Sequence, residues 1–275
     1  MELHQLIINQ VANALAEDVG SGDISADLID AEAWLETELL VREDAVLCGC
    51  QWFDEVFRQC DEKISTGWHA SDGDWITANS VICKVSGPAR GLLTAERSAL
   101  NFLQTLSGTA TLTRNFSDRI KHTRCKILDT RKTIPQLRVA QKYAVRCGGG
   151  SNHRIGLFDA FLIKENHLAA CGGIANAVAR ARKMHPDKFL EVEVENLAQL
   201  QQAIDAGVER ALLDNFSLED MKRAVELNHR HIELEASGNI EEDKLLQIVA
   251  SGVDFISIGA LTKNLRAIDF SLRYC

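Results

Sequence analysis

Residues 189–215 read FLEVEVENLAQLQQAIDAGVERALLDN, and this one stretch decides the fold. A short apolar strand, FLEVEVE, leads into an amphipathic helical pattern from Leu197 to Ala206, and a second strand, RALLDN, follows at once. The same grammar extends outward on both sides from Cys125 onward. CKILDT, AFLIKEN, HIELEAS and DFISIGA complete a set of six strands, and Leu218 to Leu227 is a further helix. Strands recurring at intervals of about 20 to 35 residues suit β/α units paired in parallel, and the sequence form is that of an α/β barrel.

The first hundred residues follow a different rule. A helix is predicted from Gln5 to Glu17, then strand-like runs LETELLVRED and SVICKVSG separated by turns such as SDGDW, which together read as α+β. Two long helical patterns, LLTAERSALNFLQTLSG and TATLTRNFSDRIKH, come next, with Gly108 as the expected break between them.

A chain of 275 residues with 46% hydrophobic content can bury a sizeable core. Its net charge of -9 opposes a nucleic-acid or membrane-surface partner, because both would be repelled by the mean field. No apolar run approaches the roughly 18 residues of a membrane span. The start, MELHQLIINQVANALAEDVG, has neither a basic n-region nor a cleavage pattern, so a soluble cytoplasmic enzyme is expected. Eight cysteines, Cys48, Cys50, Cys60, Cys83, Cys125, Cys147, Cys171 and Cys275, show no C-x-x-C and no paired ligand spacing. Reduced, largely core thiols are the expectation.

Each barrel strand is apolar until its C-terminal end, where polar residues gather: Arg131 with Lys132, Lys164 with Glu165, Glu193 with Glu195, Asp214, Ser237 and Gly259. In an α/β barrel all these ends open on one mouth, where active sites sit. One such charge is ordinarily a solvated loop residue, but Lys164 and Glu193 lie inside apolar runs, where an unpaired charge is costly. From Thr130 through Phe158 there is no Asp or Glu, so Arg131, Lys132, Arg138, Lys142, Arg146 and Arg154 stand unopposed, with His153 beside them. A helix from about Pro135 to Arg146 would carry Arg138 and Lys142 as like charges at i and i+4. With the glycines 148–150 free to approach a ligand closely, the segment reads as an anion pocket. Glu193 and Asp214 supply the opposite charge, which suits a sugar phosphate with Mg²⁺. EASGN and SIGALTKN have the small residues of phosphate-cradling β/α loops.

DTRKT, GGGSNHRIGLFDAFLIKENH, EVEVEN, LLDNF and SIGALTK occur in the order found in quinolinate phosphoribosyltransferases, and GDISADL, DGDWI and LLTAERSALNFLQTLSG extend the likeness over nearly the whole chain. The sequence resembles the bacterial members of that family. The resemblance implies an N-terminal α/β sandwich domain over residues 1–105, joined by the tail 265–275, and a seven-stranded α/β barrel over residues 106–264. It implies condensation of quinolinate with phosphoribosyl pyrophosphate, dependent on Mg²⁺, to nicotinate mononucleotide, pyrophosphate and carbon dioxide, a step of NAD synthesis. It also implies a homodimer with shared active sites, Arg97 being donated across the interface.

By the same likeness Thr130, Arg131, His153, Arg154 and Lys164 bind quinolinate, and Lys132 lies where the two substrates meet. Glu193 and Asp214 serve the ribose and, indirectly, the metal. Ser237, Gly238, Asn239, Ser257, Gly259, Ala260 and Lys263 cradle phosphate. The sequence departs at Lys263, where some relatives have His. Planar guanidinium forks match the two adjacent carboxylates of quinolinate. Three other readings compete: a phosphoribosyltransferase for another base, a Schiff-base aldolase with Lys164 or Lys132 as nucleophile, and a non-enzymatic binding protein with a degenerate mouth.

Overall fold

The computed structural model describes residues 3–238 and 243–274. The chain forms two compact units, one of Met1–Arg114, Ile134–Gly149 and Asn264–Cys275, the other of Asn115–Thr133 and Gly150–Lys263.

The first unit holds helices α1 (Leu3–Val19) and α2 (Cys50–Cys60), most of α3 (Ala89–Ile120), and α4 (Arg138–Cys147). Its strands are β1 (Trp34–Val41), β2 (Ala45–Val46), β3 (Ser65–Trp68), β4 (Trp75–Ile76) and β5 (Val81–Pro88). An antiparallel sheet runs from the C-terminal strand Phe270–Tyr274 through β1 and β5 to β3. α2 buries Trp52, Phe53 and Phe57, and the Phe53 ring meets Phe57 and Trp68 edge-on at 4.9 and 5.1 Å. Truncating such a ring to Ala costs about 3–5 kcal/mol.

Two glycines in this unit act otherwise than the sequence suggests. α3 is one uninterrupted helix of 32 residues, and Gly108 does not break it. A Cβ at Gly108 would stand 2.3 Å from the carbonyl oxygen of Arg266, so the glycine admits the returning chain against the helix. Gly148, read as part of an anion loop, packs the end of α4 against α3: its Cβ would lie 2.4 Å from the Ala110 carbonyl oxygen. Lys142 on α4 is buried, and α4 with the segment 134–149 belongs to this unit rather than to the span 106–264.

The second unit is built on β6 (Lys126–Leu128), β7 (Phe161–Ile163), β8 (Leu190–Val194), β9 (Arg210–Asp214), β10 (Glu233–Ser237) and β11 (Phe255–Ser257). All pair in parallel in the order β6-β11-β10-β9-β8-β7. These are the six strands read from the sequence. Where the family resemblance implies a seventh, a single parallel bridge joins Leu128 to Ser151, with the Ser151 N–H donating to the Ile127 carbonyl at 2.8 Å. Helices α5 (Glu165–Cys171), α6 (Ile174–Met184), α7 (Leu197–Asp205), α8 (Leu218–Asn228), α9 (Leu245–Val249) and α10 (Ala260–Lys263) alternate with the strands.

The period of two divides the sheet sharply. Leu190, Val192, Val194, Ala211, Leu213, Leu234, Ala236 and Ile256 are buried on one face, and α6 and α7 pack on β8. The other face carries Glu191, Glu193, Arg210, Asp214, Glu233, Glu235, Ser237 and Ser257, aligned by the register of Glu191 with Arg210, of Arg210 with Glu233, and of Asp214 with Ser237. Among the described residues no helix is long and apolar enough to cross a membrane.

Candidate active site

The C-terminal ends of β7, β8 and β9 bring the first charges together. Lys164 follows β7 directly and is the N-cap of α5, its N–H donating to His167 Nδ1 at 3.0 Å. Its Nζ donates to Glu193 Oε2 at 2.6 Å. Burial raises the Glu193 carboxyl above its ordinary value, the Lys164 ammonium opposes that rise, and the negative charge of Asp214 adds to it. Asp214 ends β9 and accepts from Asn215 Nδ2 at 3.0 Å.

The loops after β9 and β10 press together. Asn215 has a left-handed φ of 54°, and a Cβ at Gly238 (φ +109°) would come within 2.3 Å of Asn215 Oδ1. Glycine is therefore the residue that fits at 238. Ser237 ends β10 and Ser257 ends β11, where Ser257 hydrogen-bonds Glu235. Asn239 lies outside the described residues.

A second group forms after β6. The N–H of Lys132 donates to Thr130 Oγ1 at 3.0 Å, and its carbonyl accepts from Thr262 Oγ1 at 2.8 Å. This ties the turn after β6 to α10, which carries Ala260 and Lys263. The Lys132 side chain lies across Gly259, where a Cβ would stand 2.9 Å from Cδ. Arg131 is half-buried, and its Nε is buried without a hydrogen-bond partner among the described residues. Arg154 donates to the Ala160 carbonyl at 3.4 Å. Its guanidinium is pushed below the ordinary arginine value by burial first and by the positive charge of Arg131 second.

His153, expected among the quinolinate-binding residues, has partners within the chain at both ring nitrogens. Its ring is 10% exposed; Nδ1 accepts the Arg154 N–H at 2.7 Å, while Nε2 lies 2.9 Å from Glu191 Oε2 and 3.5 Å from Glu235 Oε2. Burial raises both carboxyls to about 7, with the negative charge of Glu191 as the second cause for Glu235. Arg210 answers them, its Nη1 lying 3.3 Å from Glu235 and its Nη2 2.7 Å from Glu233. Asp129, Asn152, Glu191, Glu235 and Arg210 were not among the sequence candidates. For Glu191 the signal was present, since in LEVEV it must share the face of Glu193.

The site thus unites Thr130, Arg131, Lys132, His153, Arg154, Lys164, Glu193, Asp214, Ser237, Gly238, Ser257, Gly259, Ala260 and Lys263 within one unit. Arg97 is exposed on α3 in the first unit. The class so defined is an α/β protein whose parallel sheet ends in cations suited to carboxylate and phosphate groups, with two carboxylates among them.

Comparison with known proteins narrows this class. The description "Quinolinate phosphoribosyl transferase, C-terminal domain" matches residues 109–273, and the corresponding N-terminal domain matches residues 23–107. The chain is 40% identical over 257 residues to a probable carboxylating nicotinate-nucleotide pyrophosphorylase of Bacillus subtilis, covering 93% of this chain and 89% of that protein. It is 41% identical over 281 residues to the chloroplastic carboxylating nicotinate-nucleotide pyrophosphorylase of Arabidopsis thaliana, covering 94% and 80%. A solved nicotinate-nucleotide pyrophosphorylase from Francisella tularensis superposes with a TM-score of 0.97 at 48% identity, over 100% of this chain and 98% of that one. The chain belongs to the quinolinate phosphoribosyltransferase family.

Proposed function

We infer that this protein is a decarboxylating quinolinate phosphoribosyltransferase, a pentosyltransferase that joins quinolinate to phosphoribosyl pyrophosphate and releases pyrophosphate and carbon dioxide in NAD synthesis. One observation carries the reading beyond family membership. Among the described residues the buried Nε of Arg131 has no hydrogen-bond partner, and Arg154 is destabilised by burial and by Arg131. Two neighbouring guanidiniums in that state are stabilised by a compact dianion, and two adjacent carboxylates meet both forks.

The ribosyl half falls to the other strand ends. Glu193 and Asp214 stabilise positive charge developing at the ribosyl carbon as pyrophosphate departs, and Lys164 orients Glu193 through their ion pair. Lys132 lies across Gly259 beside Thr130, between the carboxylate-binding arginines and the phosphate-binding loops at Ser237, Gly238, Ser257 and Ala260–Lys263. The pyridine nitrogen attacks the ribosyl centre, the pyridinium so formed is the electron sink for loss of the adjacent carboxylate as carbon dioxide, and the electron pair left on that ring carbon takes a proton from water.

Mg²⁺ belongs to this reading as a companion of the pyrophosphate. The residues fit it: the negative charge of Asp214 raises the cost of ionising Glu193, which a nearby cation relieves, and hard oxygen donors suit Mg²⁺. When bound, the ion neutralises charge on the departing pyrophosphate. The protein acts in the cytoplasm as a homodimer, each mouth receiving Arg97 from the second copy.

The aldolase reading requires Lys164 as a free amine nucleophile, and the 2.6 Å contact of its Nζ with Glu193 argues against that role. The test is release of labelled carbon dioxide from carboxyl-labelled quinolinate with phosphoribosyl pyrophosphate, with and without Mg²⁺. Product formed from nicotinate in preference to quinolinate assigns another base, and no pyrophosphate release with either rejects the reading.

A further inference from the structure

We propose that Glu191 and Glu235 are positioning residues, which clamp the ring of His153 and through it fix the direction of Arg154. The proposal rests on the reading of Arg154 as a carboxylate-binding residue. Both glutamates are fully buried, two residues short of the polar ends of β8 and β10, below the level of Glu193 and Ser237.

Both ring nitrogens of His153 have partners within the chain. Nδ1 accepts the main-chain N–H of Arg154 at 2.7 Å, so the proton belongs on Nε2, which lies 2.9 Å from Glu191 and 3.5 Å from Glu235. The chain on either side is held as well. The His153 N–H donates to Asp129 Oδ1 at 2.9 Å, and Asn152 Nδ2 donates to Asp129 Oδ2 at 2.5 Å. Residues 152–154 are therefore pinned by side chains from three strands or their ends: Asp129 after β6, Glu191 in β8 and Glu235 in β10. Arg210 holds Glu235 from below and is itself packed over Phe255 at 4.0 Å and Phe189 at 5.1 Å.

A stability role alone does not account for this cluster. Among the described residues, Oε1 of Glu191 and Oε1 of Glu235 are buried without a hydrogen-bond donor, and apolar side chains of similar volume would serve a barrel interior at least as well. His153, Glu191 and Glu235 bring three potential metal-ligand atoms within 4.8 Å of one another. The protein's own cations already occupy that role, Arg210 beside Glu235 and Arg154 acting on Glu191. What the cluster uniquely supplies is a fixed imidazole whose other nitrogen holds the Arg154 main chain. A carboxylate-binding fork depends on such support, because a displacement of an ångström weakens both of its bonds.

The test is a kinetic cycle on the full-length protein with Glu191→Gln, Arg154→Lys and the double variant. Glu191→Gln is expected to raise the quinolinate KM about tenfold while the phosphoribosyl pyrophosphate KM stays within about twofold. The double variant should fall well short of the product of the two single effects, because both act through one guanidinium. Equal changes in both KM values, or a full product in the double variant, overturns the proposal. If Glu191→Gln fails to fold, Glu235→Gln takes its place in the same cycle. Imidazole ¹⁵N spectra of the wild type decide the clamp without reference to turnover: an unprotonated Nδ1 on His153 supports it, and a protonated Nδ1 overturns it. A wild type inactive with quinolinate refutes the function reading instead, and the spectra still decide the clamp.

Discussion

Lys164 Nζ lies 2.6 Å from Glu193 Oε2, an ion pair that joins the ends of the neighbouring strands β7 and β8 at the mouth of the sheet. The partners differ in exposure, the lysine side chain being 44% exposed and the glutamate 12%. Burial works against the Glu193 carboxylate and the ammonium works for it. Replacing Lys164 with Met leaves burial and the Asp214 charge unopposed, so the Glu193 pKa rises further. The expected outcome is a loss of roughly 100-fold or more in kcat/KM, with the acid limb of the pH–rate profile moved to higher pH. An acid limb that stays in place would separate Glu193 from the ionisation that limits the rate.

The arginine pair gives a charge-conserving test. Arg154→Lys keeps the positive charge and removes the planar fork, so the quinolinate KM is expected to rise by about tenfold or more while the phosphoribosyl pyrophosphate KM changes little. Initial-rate measurements with each substrate varied in turn check this. An unchanged quinolinate KM removes Arg154 from the carboxylate site.

These residues also mark how far the sequence carries. The six strands were legible because an apolar run with polar ends has few alternatives at that spacing, and Lys164 and Glu193 stood out as charges in apolar runs, Asp214 as the polar end of its strand. Gly108 misled, because a glycine costs a helix only about 1 kcal/mol and packing against the chain at Arg266 outweighs that. The basic segment 131–154 reads as one feature, yet it divides between the two units, with the stretch from Ile134 to Gly149 in the first. Charge counted along a chain carries no information about that division. His153 shows the same limit at the scale of a ring: its type suggested a cation for substrate, and its partners Glu191 and Glu235 stand 38 and 82 positions away.

The buried glutamates predict the pH dependence of stability. Both are raised by burial from 4.5 to about 7 in the folded protein. As pH rises from about 4.5 to about 7 the unfolded chain loses these protons while the folded chain keeps them, so stability falls across that window and levels off above it. Taken alone, each group contributes on the order of 3 kcal/mol to this slope. Thermal melts between pH 4.5 and 7.5 should show Tm falling with pH in the wild type. In Glu191→Gln the fall should be visibly smaller, since one titrating group is gone and the charge that raises Glu235 is gone with it. Parallel Tm curves for the two proteins would contradict the assignment of this slope to the pair.

The last prediction concerns Arg97, exposed on α3 in the first unit, while Lys164 stands in the second. If Arg97 completes the mouth of a second copy, chains with Arg97→Ala and chains with Lys164→Ala each form inactive homodimers, because every mouth then lacks one required cation. Mixing the two restores activity. In a mixed dimer one mouth combines both defects, while the other takes Arg97 from the Lys164→Ala chain, retains its own Lys164 and is whole. Full exchange of equal amounts places roughly half the dimers in that form with one working mouth each, which gives about a quarter of wild-type activity when mouths act independently. Mass spectrometry measures the exchange, and the carbon dioxide assay measures the rescue. A mouth built within one chain gives no rescue, because no combination of the two defective chains then contains a complete site. Proven exchange with activity still at background therefore assigns Arg97 to its own chain.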